Sequence, residues 1–241
     1  MTACQALILA AGRGERMRPL TDRTPKPLLA VHGRPLIEWH ADALLRGGFD
    51  RLVLNCAWLG DQLEVWAAGY AAARGCTVAV SNEGRDFGAA LETLGGICRA
   101  LPLLDDAFWV VAGDVFAPGF AFTQQAMQRF ADSGRLGHLW LVPNPAHNPQ
   151  GDFGLGADGS ALNLAAGAGP RLTFSTIALY RRELFLPPHC DVAPGNPQGL
   201  KAPLAPLLRA AMGRGAIGAE AYTGDWADVG TPQRLAELQG A

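Results

Sequence analysis

Five consecutive apolar residues, Ala6-Leu7-Ile8-Leu9-Ala10, run directly into a turn built from Ala11, Gly12 and Gly14. The run is short and sharply bounded, which predicts a buried strand. The small turn residues let backbone N–H groups come close to a ligand. Arg13, Arg16 and Arg18 follow at once, and Pro25-Lys26-Pro27 then holds a lysine in a segment predicted to be extended, because proline fixes its own φ and restricts the residue before it. The chain carries 18 arginines but only two lysines, Lys26 and Lys201. A clamped lysine in so arginine-rich a chain points to a site that needs a compact ammonium rather than a planar fork. Turn, arginines and ammonium together suit a polyphosphate with its magnesium. A dinucleotide fingerprint would need a third glycine where Met17 stands, and a Walker A loop would need a Gly-Lys pair, which the chain lacks.

Beyond this stretch, Leu36, Ile37, Ala41, Leu44 and Leu45 recur at helical spacing until Gly47-Gly48, and Leu63, Trp66, Ala67 and Tyr70 mark a second amphipathic helix. Arg51–Cys56, Cys76–Ser81 and Phe108–Ala112 read as strands. Strands alternating with helices predict a three-layer α/β fold with a mainly parallel sheet, whose ligands bind at the carboxyl ends of the strands. Asp114 follows the Phe108–Ala112 strand, where a magnesium-triphosphate would lie. From Leu136 the texture turns glycine-rich, and Asp158-Gly159 is a hairpin signal, so the second half is expected to be a smaller antiparallel extension. The division expected is a single domain over 1–241, in two halves, 1–135 and 136–241.

A net charge of −2 offers no general attraction to nucleic acid or to an anionic membrane, so anion binding must be local. Five cysteines without a C-x-x-C pair fit a reducing compartment, and five histidines without close pairing argue against zinc. No signal peptide or membrane span is read, and the expected location is cytoplasmic.

The segment Gly12–Leu28 resembles the signature of sugar-1-phosphate nucleotidyltransferases, G-x-G-x-R-[ML]-x-P-L-T-x-x-x-P-K-P-L. Several further stretches are similar to the same family. Asn82–Gly96 resembles its E-x(n)-L-x-T-A-G-G stretch, with Leu94 in place of alanine, which implies nucleobase and ribose contact at Glu83 and Gly95, with Asn82 beside them. Val110–Asp114 resembles V-V-N-G-D, with Ala112 in place of asparagine, and Trp226–Pro232 resembles W-x-D-V-G-T-P, which implies magnesium on Asp114 and Asp228. The resemblance implies a Rossmann-like fold in which Arg16, Lys26, Asp114 and Asp228 are catalytic and Ala11, Gly12, Arg13 and Gly14 hold phosphates.

Three segments are similar to the branch that acts as N-acetylmuramate-1-phosphate uridylyltransferases in bacterial peptidoglycan recycling. Asn144-Pro145-Ala146-His147-Asn148-Pro149, running on to Asp152, would border the sugar pocket; Thr173–Ile177 matches T-F-S-G-I except that Thr176 replaces glycine; and Lys201–Leu208 matches K-x-P-L-A-P-L-L, with Lys201 reaching an acidic group on the sugar. Asn144, Asp152, Thr173 and Lys201 are the sugar-binding residues this implies. The implied substrates are UTP and a sugar 1-phosphate, with Mg²⁺, taken by 1–135 as the nucleotide half and 136–241 as the sugar half. The shortness of the chain, beside long-chain relatives that are tetramers, leads to the expectation of a monomer. Within the class, glucose 1-phosphate with a thymidine or uridine nucleotide and mannose 1-phosphate with GTP are the alternatives. A non-catalytic nucleotide-sugar-binding module is the alternative outside it.

Overall fold

In the computed structural model, residues 4–165 and 167–240 are described. Seven strands form one sheet: β1 (Cys4–Ala10), β2 (Arg51–Cys56), β3 (Thr77–Asn82), β4 (Leu104–Ala112), β5 (Gly137–Val142), β6 (Thr173–Arg181) and β7 (Ile217–Ala221). Their order across the sheet is β7-β5-β6-β4-β1-β2-β3. Strand β1 is parallel to β2 and β4, β2 to β3, and β5 to β7, whereas β6 runs antiparallel to both its neighbours. The helices are α1 (Leu36–Arg46), α2 (Gly60–Arg74), α3 (Glu83–Phe87), α4 (Glu92–Ala100), α5 (Gln124–Asp132), α6 (Leu204–Met212) and α7 (Pro232–Gly240).

Because successive strand residues point to opposite faces, β1 feeds two cores at once. Ala6 and Ile8 pack with Ile37 and Leu44 of α1, Leu63 of α2 and Phe130 of α5. Leu7 packs on the other face with Ile97 of α4 and Leu204 and Leu208 of α6. The result is the three-layer arrangement expected of a sheet covered on both sides.

The antiparallel part of the second half is built into this same sheet rather than set beside it. Ile177, Ala178, Leu179 and Tyr180 of β6 are all buried, so both faces of that strand need cover, and a central position supplies it. Two short ladders that involve the second half stand apart from the sheet: Gly154–Leu155 with Ala161–Leu162, closed around the Asp158-Gly159 turn, and Ala227–Asp228 with Val115–Phe116. The lysine segment also differs from expectation. Pro25 is extended (φ −61°, ψ 140°), but Lys26–Leu28 forms a single 3₁₀ turn. Pro27 lies in its first turn, where a missing N–H leaves no bond unmade. Among the described residues no helix is long and apolar enough to cross a membrane.

Candidate active site

Parallel pairing brings the carboxyl ends of β1, β2 and β4 to one edge, and the loops that follow them gather over a cleft of about 850 Å³. That volume is of the scale that holds a nucleotide-sized ligand. Leu9, Ala10, Ala11, Gly12, Gly14 and Arg16 line one wall. Gly14 adopts φ +66°, and a Cβ on it would lie 3.1 Å from Thr21 Cγ2 and 3.4 Å from Lys26 Cβ and Cδ. Glycine there lets the turn close against the lysine stem. Thr21 fixes that closure by donating its hydroxyl to the Gly14 carbonyl at 2.9 Å.

Lys26 is 8% exposed, and its Nζ lies 2.5 Å from Asp114 Oδ2. Gly113, just before this aspartate, donates its N–H to the Leu9 carbonyl at 2.8 Å, which ties the end of β4 to the end of β1. Just after it, Val115 and Phe116 pair antiparallel with Asp228 and Ala227, and Val229 N–H donates to the Asp114 carbonyl at 3.1 Å. The two aspartates, far apart in the chain, are thus backbone neighbours. His40 on α1 supports the clip from behind, with its Nε2 2.8 Å from the Val115 carbonyl. A carbonyl only accepts, so Nε2 carries the proton, and burial lowers the imidazole pKa to about 4, which keeps the ring neutral.

Asp228 is engaged by Arg234 Nη1 at 2.6 Å and by His147 Nε2 at 3.1 Å. A Cβ built on Gly230 would lie 3.3 Å from Asp228 Oδ2 and 3.5 Å from Arg16 Nη2, so Arg16 and Asp228 flank one glycine at the cleft wall. Arg16, Lys26 and Asp114 line the same cleft, and Asp228 adjoins it through Gly230.

The other expected site residues divide. Ala11, Gly12, Gly14 and Asp152 line the cleft. Arg13 turns away from it, stacking 3.8 Å over the Trp58 ring and pairing with Glu15 at 2.7 Å. Asn144 and Thr173 form a network behind Asp152: Thr173 Oγ1 donates to Asn144 Oδ1 at 3.0 Å, and Asn148 Nδ2 reaches Thr173 Oγ1 at 3.1 Å and Asp152 Oδ1 at 3.2 Å. Their place is to brace Asp152, with the second Asp152 oxygen taken by Phe174 N–H at 2.8 Å.

The expected nucleobase contacts need correction. Asn82 is buried and caps α3, accepting from Arg85 N–H at 2.9 Å, while its amide donates to Glu64. Glu83 is 0% exposed behind the cleft wall, with its carboxylate taken by Asn55 and by Leu91 N–H. Burial raises its pKa to about 7, although the Leu91 N–H opposes the shift. Gly95 is a packing glycine: a Cβ there would lie 2.5 Å from the Leu200 carbonyl oxygen. The first turn of α4 reaches the cleft through Glu92 and Thr93 instead. Lys201 is exposed and outside the lining, whereas Arg209, eight residues on, is exposed on α6 and faces the cleft. Among the described residues Arg209 forms no ion pair.

Sequence reasoning passed over Arg209 and Arg234, and it marked the stretches that hold Glu92, Thr93 and His147 without singling those residues out. Arg209 directly follows the Lys201–Leu208 match, but one arginine among 18 carries no signal of its own.

Residues 6–216 match the MobA-like NTP transferase domain family. An N-acetylmuramate alpha-1-phosphate uridylyltransferase from Neisseria meningitidis serogroup B is 46% identical, over 98% of this chain and 96% of its own length. One of the same description from Caulobacter vibrioides is 29% identical over 95% and 92%. Among solved structures, one described as a glucose-1-phosphate thymidylyltransferase from Bacillus anthracis, in complex with sucrose, superposes with a TM-score of 0.77 over 99% of this chain and 94% of that one, at 18% identity, a likeness of fold. With the strand-tip cleft, the lysine–aspartate pair and these relatives in agreement, the chain belongs to the MobA-like NTP transferase family.

Proposed function

We propose that this chain transfers a uridylyl group from UTP to the phosphate of N-acetylmuramate α-1-phosphate, releasing pyrophosphate. The observation that carries the reading is the convergence of Lys26, Asp114, Arg16 and the Gly12–Gly14 backbone on one cleft, with Asp228 clipped to the Asp114 backbone. A sugar phosphate is already ionised at neutral pH, so its attacking oxygen needs no general base. The obstacle is the approach of one anion to the α-phosphorus of another, and positioning with charge neutralisation removes it.

In this reading Lys26 sits between the α-phosphate and the incoming sugar phosphate, and its ammonium offsets their mutual repulsion. Its pairing with Asp114 holds the ammonium aimed at the strand tips before substrate arrives. Arg16 and the turn N–H groups bind the β- and γ-phosphates and stabilise the departing pyrophosphate. The attacking phosphate oxygen forms the new bond to the α-phosphorus as the bond to the β-phosphate oxygen breaks.

Among the described residues no cluster of three or more His, Cys, Asp or Glu could hold a metal by protein ligands alone. Asp114 and Asp228 nonetheless fit magnesium: they are hard oxygen donors on adjacent backbones, and this ion is commonly held by one or two carboxylates, water and substrate phosphates. When bound, it supplies positive charge to the phosphates and orients them.

We read 1–135 as the nucleotide half and 136–241 as the sugar half. Asp152, Thr176 and Arg209 line the cleft from the second half. Arg209 is the residue suited to an acidic substituent on the sugar, since a guanidinium pairs bidentately with a carboxylate. The identity and coverage of the Neisseria relative support the same sugar.

The test is pyrophosphate release with UTP, Mg²⁺ and a panel of sugar 1-phosphates. The muramate substrate is expected to give the highest kcat/KM. Arg209→Gln is expected to lower that value by about tenfold, the scale of one charge-assisted contact, while leaving neutral sugars within twofold. Absence of pyrophosphate release with every sugar would remove the enzymatic reading.

A further inference from the structure

Glu83 is fully buried and never reaches the cleft, yet both of its carboxylate oxygens are in use. Oε1 accepts from Asn55 Nδ2, and Oε2 accepts from Leu91 N–H at 2.7 Å. Asn55 lines the cleft, and its Oδ1 accepts from Ala10 N–H at 3.1 Å. One continuous chain of hydrogen bonds therefore runs from the end of β1, across the tip of β2, to the residue before α4. Ala10 opens directly into the Ala11–Gly14 turn, and Leu91 directly precedes Glu92 and Thr93. Helix α4 makes room for the chain with a glycine: a Cβ on Gly96 would lie 2.5 Å from Glu83 Oε1 and 2.7 Å from Asn55 Nδ2.

We propose that Glu83 is a positioning residue that sets the phosphate-binding turn and the first turn of α4 through the polarity of this chain. Both ends are main-chain N–H donors, which cannot reverse. An amide between them accepts on one side and donates on the other, so the remaining group must present a separate acceptor atom to each neighbour. Among side chains of this length only a carboxylate carries two acceptor atoms. Glutamine at 83 has the same shape but one acceptor atom, which cannot sit at both positions. If it accepts from Leu91, its NH₂ meets the NH₂ of Asn55; if Asn55 flips, two donors meet at Ala10 instead. The conflict moves along the chain and does not vanish. The polarity stands on these contacts alone, and its effect on nucleotide affinity rests on the function proposed above.

The chain's logic supplies its own reversal. In the double variant E83Q/N55D, Asp at 55 accepts from Ala10 N–H and from the glutamine NH₂, while the glutamine oxygen accepts from Leu91. We would measure amide hydrogen exchange at Ala10, and UTP KM and kcat, in the intact chain at about pH 8.5, where Glu83 is ionised. E83Q is expected to speed Ala10 exchange tenfold or more and to raise UTP KM about tenfold, with kcat within threefold. The double variant is expected to bring both quantities to within threefold of the parent. Unchanged exchange and KM in E83Q would overturn the proposal. So would a double variant as impaired as E83Q, since residue 83 would then matter only for charge or packing. Should E83Q fail to fold, a folded double variant with protected Ala10 supports the proposal, and an unfolded one refutes it. Should the parent not turn over UTP at all, the function proposed above fails and the exchange data still decide the polarity.

Discussion

Replacing Lys26 by methionine removes a charge while keeping most of the stem that lies beside Gly14. Lys26 is 8% exposed and its ammonium lies 2.5 Å from Asp114, so its position is fixed before substrate arrives. Loss of one oriented stabiliser of this type costs roughly 2.7–4 kcal/mol in the transition state, about 100- to 1,000-fold in rate. The stability effect runs on a different scale. The Asp114 side chain is 39% exposed, so its carboxylate stays hydrated when the partner leaves, and the expected loss is about 1 kcal/mol or less. For a chain of this size that lowers Tm by roughly 2–4 °C. Pyrophosphate release with UTP and muramate 1-phosphate would be followed beside thermal melting by circular dichroism. Lys26→Met should lower kcat/KM at least about 100-fold on this scale while melting within those few degrees. Lys26→Arg should also lose activity, because a planar fork replaces the compact ammonium that meets Asp114. A fall below about fivefold in a folded Lys26→Met variant would refute the charge argument.

Asp228→Asn keeps a hydrogen-bonding side chain for Arg234 but loses the negative charge, and magnesium-dependent turnover is expected to fall about 100-fold or more; near-parental activity would remove Asp228 from the site. Thr176 is a β-branched residue at φ +64° on the cleft wall, and Thr176→Gly is expected to raise stability by about 1 kcal/mol in urea unfolding, since relief of the left-handed strain outweighs the added freedom of the unfolded chain. Glu83 gives a pH signature. With its folded pKa raised from 4.5 to about 7, the folded state binds a proton that the unfolded state has released over that window. Stability from this group is therefore fully present below about pH 4.5 and is lost as pH rises through 7, by about 3 kcal/mol in all. Urea melts of the parent and E83Q should differ by an amount that changes to that extent across the window, and a pH-independent difference would contradict the burial argument.

The strand and turn of Ala6–Gly14 were legible because their pattern is local: an apolar run, then small residues. Lys26 and Asp114 could be singled out by chemical type, but nothing local states that residues 88 apart touch. Glu83 shows where such reading fails. An acid just past a strand end looks the same whether it faces a base or a buried amide, and the deciding partners, Asn55 and Gly96, lie on other elements. Lys201 misled for a related reason. Its rarity drew attention, while the cleft-facing cation of that segment, Arg209, depended on which side of α6 meets α4 and β7. The sheet order was likewise hidden, because β6 enters between β4 and β5 by a long return that no nearby pattern announces.

The two-residue clip between Val115–Phe116 and Ala227–Asp228 joins stretches that are far apart in the chain. Asp228 is therefore held beside Asp114 by tertiary pairing alone, through a ladder too short to survive without the packing around it. Loosening the 227–232 segment would part the two carboxylates while leaving the Lys26–Asp114 contact closed.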